Sequence, residues 1–318
     1  MNRPDENKII PTVPGLTWRS LQSNDVGAIT ALATACLETD GGLPLGAADT
    51  YIHEHYLPAL PGTSIGAFEA NERLVACSAV QATHTPDDYR ITIVGQVHPA
   101  YRKRGLGTLL LEWSMAEAGK LLSISPPDRP HVMLVATESL STGAVDLFKR
   151  HGFKQLFAED VMRRNLNTPL PNAPVRPGIS FATWTPALAS EFFAVYQAAF
   201  RERPGFPNWS QEEWVSWLGT EDDDFRAKLS LLAYHDDVLV GFVVCAEGWI
   251  VQVGVLPEWR KRGIGSALMV EVLKRFCSAD TDHVLLDVNV NNPGAARLYE
   301  RLGFEQIGRR ARYARVLP

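Results

Sequence analysis

The sequence predicts an α/β protein built as two tandem repeats, and three observations carry that reading. From Ile250 to Leu268 a β-branched run breaks at Pro257, turns into a Gly-rich basic loop at Arg260 to Gly265, and continues with apolar residues at helical spacing. A second copy lies upstream, with Ile93 to Val97, then Arg102-Lys103-Arg104-Gly105-Leu106-Gly107-Thr108, then a Leu-rich helix. Between them, Asn167 to Gly178 carries four prolines and reads as a linker, after which the order of elements repeats. Gly263 follows Gly105 by 158 positions and Gly303 follows Gly152 by 151, so the halves differ by one seven-residue indel.

The elements follow in order. Residues 1–14 read as a loose tail, and Trp18 to Asp25 as a strand entering a helix that continues to Leu37. Asp40 to Pro44 is a loop, and Ala47 to Leu57 a second helix. Gly66 to Ala70 and Val75 to Gln81 are strands around a turn at Asn71-Glu72, and Arg90 to Val97 feeds the first Gly loop. After its helix come a Pro-rich insertion (Ser125 to Pro130), a buried strand (His131 to Ala136), a short helix around Ala144 to Lys149, and a final strand after His151-Gly152-Phe153. In the second half Ile179 to Trp184 is a strand, and Ala187 to Phe200 and Ser210 to Trp217 are helices. An acidic loop follows at Glu221 to Asp224. Leu229 to Tyr234 and Val238 to Ala246 pair across His235-Asp236-Asp237. The second Gly loop, its helix, a strand at Val284 to Val290, a short helix and Leu302-Gly303-Phe304 complete the repeat. The domains are therefore 1–166 and 179–318, joined by 167–178.

Composition narrows the function. The 318 residues carry a net charge of −5, which disfavours a general affinity for nucleic acid. The four cysteines form no CxxC, as expected of idle thiols in a reducing cytoplasm. Met1 to Ile10 lacks the apolar core of a signal peptide, and the most hydrophobic window, Val238 to Leu256, is broken by Glu247, Gln252 and glycines, so no membrane span is expected. His53-Glu54-His55 is not a metal site, since residues i and i+2 diverge on a helix.

Strand, glycine loop and helix aim unpaired amides and a helix N-terminus at one spot, which suits a phosphate. The loops are not Walker A motifs, because no Lys precedes Thr108 or Ser266. Nor are they dinucleotide fingerprints, since Leu110 and Leu268 stand where the third glycine would be. With Arg102-Lys103-Arg104-Gly105-Leu106-Gly107 and Arg260-Lys261-Arg262-Gly263-Ile264-Gly265, each half resembles the Gcn5-related N-acetyltransferase (GNAT) superfamily at its acetyl-CoA signature. The second half adds the downstream signature Asn291 to Phe304. The tandem layout is similar to that of the two-domain mycothiol synthase group. The resemblance implies two GNAT-type domains, each a mixed twisted sheet flanked by helices.

It also implies roles. Arg260, Lys261, Arg262, Gly263, Ile264, Gly265 and Ser266 would hold the acetyl-CoA pyrophosphate, with glycines where a side chain would block backbone approach. Val253 and Val255 would offer backbone groups to pantetheine and the thioester carbonyl. Asn292 would contact CoA, and Asn289 would line the same cleft, unless both sit in a solvated turn. Tyr299 stands at the general-acid position, where it would protonate the departing thiolate. Glu247 is the candidate base, if it lies on a strand rather than in a turn, and Asp287 is the alternative. In the first half Val97, Arg102, Arg104, Gly105, Gly107 and Thr108 make the equivalent cradle, but Phe148 stands opposite Tyr299, Ser141 opposite Asn292 and Glu138 opposite Asn289. The first domain is thus expected to bind acetyl-CoA without catalysing.

The acceptor is expected to be a small-molecule amine attacking directly in a ternary complex. Phe200, Phe206, Trp209, Trp214 and Trp217 with Glu212, Glu213 and Glu221 to Asp224 would suit a cationic one; the other reading is core aromatics beside a solvated loop. A cysteinyl pseudodisaccharide acceptor and a non-catalytic acetyl-CoA-binding protein are the other readings. No nucleic-acid, membrane or metal partner is expected, and the chain is read as a monomer or homodimer. The arginines at 309, 310, 312 and 315 are expected to face solvent on a terminal strand.

Overall fold

The computed structural model describes residues 13–57, 60, 62–84, 87–172, 177–202, 209–218, 225–279 and 281–317. Most of the N-terminal tail, residues 173–176 of the linker, Phe206 and the acidic loop at 221–224 lie outside them. The chain divides into two compact units, Met1–Asp160 with Ile307–Pro318, and Val161–Gln306.

The first unit contains β1 (Thr17–Arg19), α1 (Val26–Asp40), α2 (Asp49–Tyr56), β2 (Ser64–Phe68), β3 (Leu74–His84), β4 (Tyr89–Val97), α3 (Leu106–Ser123), β5 (His131–Thr137) and α4 (Thr142–Arg150). It also takes Lys154–Asp160 of β6 (Lys154–Asn165) and most of β12 (Glu305–Val316), the last strand of the chain. Its sheet runs β1-β2-β3-β4-β5-β12-β6. β4 and β5 are parallel because α3 carries the chain back across the sheet between them. One face is closed by α1 and α2, whose Ile29, Leu32, Cys36, Ile52 and Tyr56 pack on Cys77, Ala79 and Val94.

β12 pairs antiparallel with β5, from Ala311 opposite Thr137 to Val316 opposite Val132. This placement overturns the expectation for its arginines. Arg309 pairs with Asp160 at 2.6 Å, Arg310 with Glu159 at 2.7 Å and Arg312 with Glu138, while Arg315 donates to the His151 carbonyl at 3.1 Å. A strand inside a sheet has neighbours on both sides, so its long side chains meet carboxylates and carbonyls instead of water.

The second unit contains Val161–Asn165 of β6, then β7 (Ile179–Thr183), α5 (Ala189–Phe200), α6 (Gln211–Leu218), β8 (Leu231–His235), β9 (Val238–Ala246), β10 (Trp249–Val255), α7 (Ile264–Ser278), β11 (His283–Asn289) and α8 (Pro293–Arg301). Its sheet runs β6-β11-β10-β9-β8-β7. Tight turns make the two hairpins, with Asp236 at φ 51° and Gly248 at φ 63°, the left-handed backbone that short hairpin loops require. On one face α7 packs Leu268, Val272 and Phe276 against Val243, Cys245, Ile250, Val284 and Leu286. On the other, α5 and α6 pack Phe192, Tyr196 and Trp214 against Phe242 and Val244. No helix among the described residues is long and apolar enough to cross a membrane.

Two glycines of the first unit should respond oppositely to a methyl group. A Cβ at Gly119, inside α3, meets nothing within 4 Å, so Gly119→Ala should raise stability by about 0.5–1 kcal/mol. At Gly41, φ is 69° and a Cβ would lie 1.7 Å from the Ile307 carbonyl oxygen. Gly41→Ala should therefore lower stability by about 1–3 kcal/mol. Urea unfolding midpoints of the two variants measure both signs.

Candidate functional site

The two Gly loops fold alike. In the second unit β10 ends at Val255, a 3₁₀ turn covers Pro257–Trp259, and α7 begins at Ile264. Lys261 and Gly263 have left-handed backbone, at φ 61° and 84°. In the first unit Lys103 and Gly105 take the same angles, 61° and 84°. Left-handed backbone is uncommon at lysine, and its recurrence at matched positions marks a loop shaped for a purpose beyond turning the chain. Neither Gly105 nor Gly263 supplies a side-chain cap to the helix it starts. The first amides of α3 and α7 have no acceptor within the helix, and they face the loop with the positive end of the helix dipole. A Cβ at Gly105 would meet nothing within 4 Å, and one at Gly265 only Leu298 and Val255 at 3.6 and 3.7 Å. Side-chain packing leaves this backbone bare, which leaves room for an anion to approach. Both loops fit a pyrophosphate.

The basic residues divide into those that strap the loop to the strands and helices and those that stack on an aromatic ring beside it. Arg260 donates from Nε to the Val255 carbonyl at 3.1 Å and from Nη2 to the Ala199 carbonyl at 2.8 Å, so it ties the loop to β10 and α5. Arg102 makes the matching bond to Val97, but its fork is held by Asp40 at 2.6 and 2.8 Å. The first cradle thus carries a neutralised arginine that the second does not. Arg262 lies over the Trp259 ring at 4.8 Å and Arg104 over Tyr101 at 5.0 Å.

The sheets open differently beside the cradles. β4 stays paired with β5 from Tyr89 to Ile93 and parts only over its last residues. β10 meets β11 at a single position, Trp249 opposite Leu285, and then diverges. A bulge contributes to the divergence. β10 shifts register against β9 between Ile250 and Gln252, whereas β3 and β4 run without a shift. Backbone groups from Val251 to Val255 on the β11 side are therefore outside the ladder, with Val253 and Val255 among them.

Tyr299 projects from α8 into the core of the second unit, 9% exposed, with its ring 6.0 Å from that of Phe304. Burial pushes its phenol up to about 12, and the charge of Asp287 adds to the shift. The hydroxyl is therefore protonated at neutral pH, the state a proton donor needs. Asn292 caps α8, accepting from the Ala295 amide at 3.2 Å, and Asn289 closes the preceding turn by accepting from the Asn291 amide at 3.0 Å. Ser141 caps α4 in the same way, at 3.3 Å from the Ala144 amide.

In the first unit Phe148 takes the place of Tyr299 and packs on Tyr313 at 5.1 Å. The face under α2 is closed by charge. Glu138, with a 4% exposed side chain, accepts from Arg312 and from the Tyr51 hydroxyl at 3.3 Å, while Arg310 bridges towards Glu159. Burial, reinforced by Glu138, raises the Tyr51 phenol well above its ordinary range.

Glu247 lies in a turn rather than on a strand. It occupies the β9–β10 turn, its side chain 69% exposed and paired with Arg226. Four residues of strand, Trp249 to Gln252, separate the turn from Val253, about 13 Å at the usual rise. A charged residue interrupting an apolar run marked a turn here, not a buried strand position. Asp287, on β11 and near enough to act on Tyr299, is the carboxylate at the opening. Of the acceptor-side residues, Trp214 is fully buried, Phe200 packs on Phe242 at 5.9 Å, and Trp209, Glu212, Glu213, Ser216 and Trp217 line a shallow surface concavity of about 520 Å³. Glu213 is engaged with Ser210 at the start of α6. The residue that sequence reasoning passed over is Gln252, visible only as the one polar side chain in an apolar strand.

Comparison with known proteins agrees with this geometry. The Acetyltransferase (GNAT) family model matches residues 190–304, and an Acetyltransferase (GNAT) domain model matches residues 62–155. The mycothiol acetyltransferase of Thermobispora bispora is 30% identical, covering 88% of this chain and 92% of its own. That of Acidothermus cellulolyticus is 27% identical, covering 87% of each. Among solved structures, a GCN5-related N-acetyltransferase from Sphaerobacter thermophilus superposes with a TM-score of 0.75 at 27% identity, over 96% of this chain and 97% of its own. A tandem GNAT protein from the clavulanic acid biosynthesis pathway shares the fold, with a TM-score of 0.61 at 18% identity over 95% and 98%.

Tyr299 should titrate late. A folded-state value above the unfolded one means that its contribution to stability is intact below pH 10 and lost as pH rises towards 12. The phenolate absorbance of the intact protein minus that of Tyr299→Phe should rise with a midpoint near 12. A midpoint near pH 10 would show a solvated phenol.

Proposed function

Because the chain belongs to the GNAT acetyltransferase family, we propose that it transfers acetyl from acetyl-CoA to the primary amine of a small molecule by direct attack, and that its second unit does the chemistry. The observation that carries this reading is that one unit combines an uncapped Gly-loop cradle, a strand parted from its parallel neighbour and a buried protonated tyrosine. The bound thioester supplies the acetyl group. The amides of Arg262 to Ser266 bind the pyrophosphate, and backbone groups at Val253 and Val255 orient the thioester end and stabilise charge on its oxygen. Tyr299 holds a proton at its hydroxyl for the sulfur that leaves. Asp287, rather than Glu247, takes up the proton that the attacking nitrogen loses. The C–N bond forms as the C–S bond breaks, and CoA leaves as the thiol.

The first unit holds acetyl-CoA without reacting. Its cradle keeps the backbone of the second, but Phe148 has no proton to give, β4 remains paired for longer, and the Glu138–Arg312 cluster occupies the face that α5 and α6 cover in the second unit. A narrower acceptor has support too: relatives named mycothiol acetyltransferases, at 27–30% identity, match 87–88% of the chain, which favours a cysteinyl pseudodisaccharide as the specific amine. Three buried free thiols support a cytoplasmic setting.

CoA-thiol release from acetyl-CoA tests these assignments. Tyr299→Phe should lower kcat by about 10²–10⁴ and Phe148→Tyr should change it less than about twofold. Unaltered turnover in Tyr299→Phe would remove it from the mechanism. The two carboxylates separate in the same assay: Asp287→Asn should lower kcat by about 10² or more and flatten the acid limb of the pH profile, whereas Glu247→Gln should leave both unchanged.

A further inference from the structure

Among the described residues the second unit buries three side-chain polar atoms that have no hydrogen-bond partner; apart from the Arg164 Nε these are the side-chain carbonyl oxygen of Gln252 and the indole N–H of Trp214. Buried polar atoms are normally paired, so a complementary donor and acceptor both left open call for an account. They belong to one face of the sheet. Gln252 lies opposite Val244 on β9, and Val244 packs in the aromatic cluster under α5 and α6. The bulge explains its presence there. Ile250 and Val253 pack on the α7 side, while Val251 packs in the α5–α6 cluster; the register shift between Ile250 and Gln252 makes two successive side chains face the same way. Gln252 is thereby turned onto the α5–α6 face at the stretch of β10 that has left β11. Trp214 is fully buried in the same cluster, stacked on Tyr196 at 5.2 Å and edge-on to Trp184 at 6.3 Å.

We propose that Gln252 and Trp214 are the acceptor-recognition pair: the Gln252 carbonyl oxygen accepts a hydrogen bond from the attacking amine, and the Trp214 N–H donates to an oxygen of the same molecule. The enzyme thus selects amines with a hydroxyl or carbonyl oxygen close to the nitrogen over plain alkylamines. This rests on the second unit being the catalytic one. An amide suits the position better than a carboxylate would. The nitrogen must be neutral to attack, and a negative charge beside it would favour the ammonium form, whereas a carbonyl dipole accepts its N–H with a much smaller preference for that charge.

The test measures kcat/KM by CoA-thiol release for matched amines, ethanolamine against ethylamine and glucosamine against cyclohexylamine, in the full chain. The oxygen-bearing member should be preferred by about tenfold or more in each pair. Gln252→Leu and Trp214→Phe should each raise its KM by about tenfold, with the KM for acetyl-CoA unchanged, and Trp214→Phe should erase the preference. Gln252→Glu should move the rising limb of the pH profile to higher pH, which a merely structural role would not do. Equal kcat/KM across each pair, or variants that lose thermal stability while keeping both KM values, would overturn the recognition pair and leave the catalytic assignment standing. No CoA release from the unaltered protein with any of these amines would overturn both.

Discussion

The parting of β10 from β11 after the Trp249–Leu285 pair is the constraint on which the site of the second unit depends. Two parallel strands joined through α7 must lie in one sheet, yet the chain holds them together at one end only. The bulge between Ile250 and Gln252 adds a residue to β10, so its ladder to β9 continues while its other edge turns away. The end of that free edge leads directly into the loop that starts α7. The divergence therefore leaves the backbone of Val253 and Val255 outside the ladder on the strand that leads into the uncapped start of α7.

The two units share one loop geometry and differ in what surrounds it. Their cradles share left-handed angles at matched lysines and glycines, because that backbone alone presents successive amides to an anion. Differences lie in what surrounds them. Phe148 and Tyr299 fill equivalent space against a second ring, and only the hydroxyl distinguishes them. Glu138, opposite Asn289 in the repeat, gathers two arginines and a tyrosine around one buried carboxylate, whereas Asn289 only closes a turn.

Much of this was legible in residues. Lys-Arg-Gly-x-Gly preceded by β-branched runs can hardly fold except as strand, loop and helix, and the elements around both loops lie close to where periodicity puts them. The family signature at Asn291 to Phe304 located Tyr299. What was misread followed from neighbours that the sequence does not name. The arginines of β12 read as a solvated edge because their carboxylates, Glu138, Glu159 and Asp160, are about 150 residues or more away. For Glu247 the sequence left strand and turn open, and the structure puts it in the turn with Gly248 at φ 63°.

Local chemistry, then, was determined by the sequence itself: the Gly loops, their repetition and the loss of the tyrosine in one copy depend on contacts within a few residues. Only the tertiary structure decided which edge of β10 is free, that Arg102 is neutralised by Asp40 while Arg260 is not, and that Gln252 faces the aromatic cluster. Register, ion pairing and burial are long-range properties. A one-residue shift reverses the face of every side chain after it, and nothing in the strand alone says where that shift falls.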